Sequence, residues 1–114
     1  MTSGKTNPPM TATKPESVIQ RHIIQFLRGL DDAYVLNVGG GASTAKGTSD
    51  LIVCYRGRFL ALEVKRPDGD YGLTKPQAMR LAAVRKAGGV GTVVTSIQDL
   101  VDLLSDIDRS ENGN

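Results

Sequence analysis

Two carboxylates and an ammonium stand at spacings that suit hydrolytic chemistry: Asp50, Glu63 and, two residues further on, Lys65. Asp50 opens an apolar run to Tyr55, Glu63 and Lys65 close a second run from Arg58, and Arg56-Gly57 lies between the two. Read as a hairpin with a two-residue turn, this pairs Tyr55 with Arg58, Cys54 with Phe59 and, counting outward, Asp50 with Glu63. Directly opposed residues project to one face with Cβ atoms about 4.5–5.5 Å apart, and Lys65 shares that face. Two like charges so placed repel unless something positive lies between them. A divalent cation supplies that charge, and with only hard oxygen donors at hand the expected ion is Mg2+ or Mn2+. Such an ion binds a phosphate oxygen and lowers the pKa of a water, while Lys65 stabilises charge on the phosphorus oxygens or orients the water; this is phosphodiester hydrolysis. The same residues also allow a plainer arrangement, in which Lys65 only pairs with Glu63 or Asp50 in a structural salt bridge.

The elements that must position these groups can be read from periodicity. Thr13-Lys14-Pro15-Glu16 has the form of a capping box, and Ile19, Ile23, Phe26, Leu27 and Leu30 follow at helical spacing, so a helix is predicted over about 14–29. Tyr34 to Val38 reads as a short strand, and the glycine-rich run 39–49 as a loop leading into the hairpin. Its glycines suggest a phosphate-binding loop, but Lys46-Gly47-Thr48 opens a strand rather than a helix, so no nucleotide cofactor is expected. Within the hairpin, Ile52, Cys54, Phe59 and Ala61 fall on one side and Leu51, Val53, Leu60, Leu62 and Val64 on the other, which predicts burial of both faces. Thr74-Lys75-Pro76-Gln77 repeats the capping-box form ahead of a helix to about Ala87. Gly88-Gly89 stop that helix, Val90 to Thr95 is a further strand, and Ser96 opens a last helix carrying Ile97, Leu100, Val101, Leu104 and Ile107. The predicted order is one mixed α/β domain over 13–108, a central sheet flanked by helices, between a tail at 1–12 and a frayed end at 109–114.

Composition bounds the function. The chain has 114 residues, 39% hydrophobic and 23% charged, the size and balance of a single globular domain. There is no apolar run long enough to span a bilayer and no signal-peptide core at the start, so a cytoplasmic location is expected and a membrane partner is not. One cysteine, Cys54, and one histidine, His22, exclude a disulfide framework and a four-ligand zinc site of Cys and His. Cys54 reads as a small core residue and His22 as a partly buried helix residue. The formal net charge of +2 is uneven along the chain: the stretch from Lys46 to Lys86 is rich in Lys and Arg, whereas Asp99, Asp102, Asp106, Asp108 and Glu111 make the end acidic. A basic middle suits a polyanion bound on one side.

The segments Gly47-Thr48-Ser49-Asp50-Leu51-Ile52-Val53 and Leu62-Glu63-Val64-Lys65, followed by Gln77 at the next helix start, resemble the PD-(D/E)XK nuclease superfamily, specifically its VRR-NUC branch. The resemblance runs from about Glu16 to Gly89 and implies a restriction-endonuclease-like core and a metal-dependent DNA endonuclease. It implies an active site of Glu16, Asp50, Glu63, Lys65 and Gln77, with the Val64 carbonyl joining Asp50, Glu63 and Glu16 around Mg2+ or Mn2+. The usual proline before the aspartate is Ser49 here. Glu16 and Gln77 also stand where a capping-box side chain would, so each has a purely structural role open to it. Similarity of stand-alone members to Holliday-junction resolvases implies a homodimer acting on branched or flapped DNA. A catalytically inactive DNA-binding module of the same fold is the alternative. Lys46, Arg66, Lys75 and Arg80 are the expected phosphate contacts. Aromatic residues are few, and only Tyr71, in a polar loop, is expected to be free to stack on a base.

Overall fold

The computed structural model describes residues 15–38, 51–68 and 72–112. Within them the order is α1 (Glu16–Arg28), β1 (Ala33–Asn37), β2 (Leu51–Tyr55), β3 (Arg58–Val64), α2 (Lys75–Lys86), β4 (Val90–Val94) and α3 (Ile97–Asn112). This is the predicted α/β architecture: a mixed four-stranded sheet with three helices. The strands lie in the order β1-β2-β3-β4; the first three are antiparallel, and β4 runs parallel to β3 after the α2 crossover.

The β2–β3 register is the predicted one, from Tyr55 opposite Arg58 to Leu51 opposite Leu62. Asp50, one residue before β2, lies outside the described residues. Positive φ at both Arg56 (51°) and Gly57 (85°) gives the turn the twist that a two-residue hairpin needs. Arg56 is the costlier of the two, having a Cβ, and it is anchored: its N–H donates to the Asp32 carbonyl at 2.9 Å, and its guanidinium pairs with Asp32 and Asp108.

The core lies on one side of the sheet. Val35, Leu51, Val53, Leu60, Leu62, Val64 and Val94 pack against Ile19, Ile23, Ile24 and Leu27 of α1 and Leu100, Leu104 and Ile107 of α3. On the other side, among the described elements, only α2 covers the sheet. Its approach to β4 is close enough that a Cβ at Gly91 would stand 2.6 Å from the Leu81 carbonyl oxygen, so β4 needs glycine there.

Four expectations are corrected. The hairpin is not buried on both faces: α2 sits over β3 and β4 and leaves Tyr34, Leu36, Cys54 and Phe59 exposed, so Cys54 is a surface residue. Tyr71 lies outside the described residues, and it is not alone as a stacking candidate: among the described aromatic residues Tyr34 and Phe59 are exposed. The N-cap of α1 is Pro15, with no side-chain cap, so Glu16 is the first helical residue and not the acid of a capping box. The Pro15 carbonyl accepts instead from Val18 and Ile19. Lastly, α3 continues through the predicted frayed end to Asn112; Arg109 pairs with Asp106 one turn back and complements the helix C-terminus.

Candidate active site

Glu63 is the next-to-last residue of β3 and is buried, 1% exposed. Alternation places it on the α2 side of the sheet with Phe59 and Ala61, whereas Leu60, Leu62 and Val64 face the core. A carboxylate held away from water is costly unless polar partners receive it. One partner is Gln77 in the first turn of α2, whose Nε2 donates to Glu63 Oε1 at 3.3 Å.

Gln77 closes the capping box and contacts Glu63 at the same time. Its backbone N–H donates to Thr74 Oγ1 at 3.2 Å, and its Oε1 accepts from the Thr74 N–H at 2.9 Å, which closes the capping box. An amide has one oxygen and one NH2. Engaging the oxygen in the cap leaves the NH2 to point at Glu63, so the device that starts α2 also fixes which end of the amide meets the carboxylate. Pro76, among the first residues of α2, costs no helical hydrogen bond and supports the same start.

Lys65 follows directly on β3. Its N–H donates to the Val94 carbonyl at 3.1 Å, which carries the pairing with β4 one residue beyond the strand. Its side chain is half-buried and forms no ion pair among the described residues; of the predicted salt-bridge alternative, the pair with Glu63 is not formed, and Asp50, the other partner, lies outside the described residues. Glu16 is exposed at the start of α1 and makes no side-chain hydrogen bond or ion pair among the described residues. Of the phosphate candidates, Lys75 and Arg80 are exposed on α2, Arg66 is exposed and pairs with Asp68 at 3.4 Å, and Lys46 lies outside the described residues. Arg85, not singled out from the sequence, ties α2 to β4 by donating to the Gly91 carbonyl at 2.7 Å.

The structure thus brings Glu63 and Gln77 together, with Lys65 two residues further along the same chain. Glu63 and the Val64 carbonyl are hard oxygen donors of the kind Mg2+ and Mn2+ take, so the donor chemistry fits such an ion. Among the described residues there is no cluster of three or more His, Cys, Asp or Glu. No described helix is long and apolar enough to cross a membrane.

No family model matches the chain, and neither does any curated protein. Among solved structures, the chain is similar to one described as "VRR_NUC domain", with 25% identity over 82% of this chain and 97% of that one and a TM-score of 0.63. A second, described as "VRR_NUC domain protein", is 18% identical over 82% of this chain and 88% of that one, with a TM-score of 0.61.

Proposed function

We propose that this chain, a nuclease-type domain with the VRR-NUC fold, is a metal-dependent endodeoxyribonuclease that selects its substrate by DNA structure rather than base sequence. The observation that carries the reading is the buried Glu63 carboxylate held by an amide whose orientation the capping box fixes. A carboxylate with only a structural task has little need of such positioning, whereas a metal ligand gains basicity and a fixed direction from it.

Glu63, the Val64 carbonyl and Asp50 are the groups that would hold the ion, and Asp50 enters this set through the register. Asp50 itself lies outside the described residues; the hairpin register predicted from the sequence, which the described Leu51–Leu62 pair matches, would set it opposite Glu63 if continued by one step. When bound, the ion supplies Lewis-acid charge and a more acidic water. The chain's own part is positional and electrostatic. Gln77 keeps Glu63 turned toward the site, and Lys65 places a positive charge where negative charge grows on the phosphorus oxygens. Water adds at phosphorus, one P–O ester bond breaks, and the departing oxygen takes a proton. Glu16, released from any capping role, remains a candidate for a further metal contact. Lys46, Arg66, Lys75 and Arg80 belong to the phosphate-contacting surface in this reading, and a homodimer would present two sites to two strands of branched DNA.

The test is cleavage of labelled four-way junction, flap, linear duplex and single strand with Mg2+ or Mn2+, beside a Lys65→Ala control. Metal-dependent cutting that the control loses supports the reading. Binding without cutting in either metal replaces it with the inactive DNA-binding module.

A further inference from the structure

The uncovered half of the sheet has a definite composition. Tyr34 is 66% exposed and Phe59 48% exposed, and the register places them in one row across three strands, Tyr34 opposite Cys54 and Cys54 opposite Phe59. Two strand spacings put the aromatic residues about 10 Å apart on a common face. In the neighbouring row exposed Leu36 and half-buried Ile52 continue the apolar surface, which ends at buried Ala61. A groove between this surface and α2 is lined by Phe59, Arg80, Ala83, Val84 and Ala87.

Charge selects the occupant. The helix beside the groove carries Lys75, Arg80, Arg85 and Lys86 and no acid, and the four strands hold no acid other than buried Glu63. A second copy seated across a two-fold axis would set this basic rim against itself, since an isologous contact pairs a patch with its own image. A polyanion meets no such repulsion. A polyanion that also buries apolar, planar groups is single-stranded nucleic acid, whose bases stack on exposed aromatic side chains without regard to sequence while cations follow the backbone.

The face lies on the same side of the sheet as the candidate active site, with buried Ala61 between the two. Phe59 and Glu63 lie on the same strand and the same side, four residues or about 13 Å apart. We propose that the open β1–β2–β3 face is a stacking platform for a single-stranded segment of the substrate, with Tyr34 and Phe59 receiving bases and Arg80 a phosphate. This rests on the nuclease reading only for the nature of the substrate, and it favours flapped or splayed DNA over plain duplex.

Binding in EDTA separates the two readings, because no cleavage is required. Fluorescence polarisation with a short labelled oligothymidylate should show binding by the wild-type chain, about tenfold weaker for Tyr34→Ala or Phe59→Ala, with duplex binding little changed. The chain has no tryptophan, so Phe59→Trp supplies a sole reporter whose emission should be quenched by the oligothymidylate. Both aromatic residues are exposed, and melting curves of the variants verify that the fold is retained. The proposal is overturned by absence of single-strand binding in the wild type, by unchanged binding in both alanine variants, or by unquenched Phe59→Trp in the presence of bound strand. Sedimentation showing that Tyr34→Ala or Phe59→Ala turns a dimer into a monomer would also overturn it, assigning the face to a second copy.

Discussion

At the turn end of the β2–β3 hairpin, Arg56 pairs with Asp32 at 3.3 Å and with Asp108 at 2.9 Å, and the Tyr55 hydroxyl donates to the same Asp108 carboxylate at 3.0 Å. At the far end, Glu63 is buried against the Gln77 amide, while Lys65 holds no ion pair among the described residues. The same two strands therefore carry a set of paired charges at one end and, at the other, a buried carboxylate on an amide and a cation with no ion pair among the described residues. The first end ties the hairpin to α3 and to the segment before β1. On the proposed function this contrast is one between a structural ion-pair network and a catalytic one, and substitutions at the two ends should divide accordingly.

The largest effect is expected at the far end. Glu63→Gln keeps the shape and removes the charge, and cleavage should fall by about a hundredfold to a thousandfold in a single-turnover assay. Gln77→Ala should fall between the extremes, with cleavage lower by about tenfold to a hundredfold through loss of carboxylate orientation. The same change should cost about 1 kcal/mol of stability through the broken capping box, read by denaturant titration. At the turn end, Asp108→Ala removes the partner of a buried hydroxyl and should cost about 1–2 kcal/mol, several degrees in Tm, with cleavage per folded molecule unchanged. The Arg56–Asp108 pair is too exposed to add much to that figure.

The smallest effect is a matter of pH. Burial, and then the hydrogen bond and charge of Asp108, raise the Tyr55 pKa above its ordinary 10.0. The neutral phenol is favoured in the fold, so this contribution is fully present below the unfolded pKa and is lost as pH rises through the higher folded value. Urea unfolding between about pH 8 and pH 11 should show an alkaline loss of stability that Tyr55→Phe reduces.

Most of the framework was legible because it rests on local chemistry. Arg56-Gly57 fixed the hairpin register, and Thr74 with Gln77 marked the start of α2. What the sequence could not reveal depended on how far one element covers another. Cys54 and Phe59 read as core because apolar alternation is blind to the width of the covering layer, and one helix over β3 and β4 leaves them open. The exposure of Tyr34 follows from the same partial cover. Glu16 looked like a cap because Thr13 stands three residues before it, but a proline directly before the helix supplied the first carbonyl instead. The double use of Gln77 was hidden because the sequence presented its two roles as alternatives, whereas one amide has an oxygen for the cap and an NH2 for the carboxylate.

The most direct test is a paired measurement of Lys65→Ala and Asp108→Ala: Mn2+-dependent cleavage of a flapped DNA and thermal melting, on the same preparations. The expected result is that Lys65→Ala loses cleavage with its Tm unchanged, while Asp108→Ala loses several degrees of Tm and still cuts. A Lys65→Ala chain that melts early, or one that still cuts at the wild-type rate, would show that the far end is as structural as the turn and would contradict the nuclease assignment.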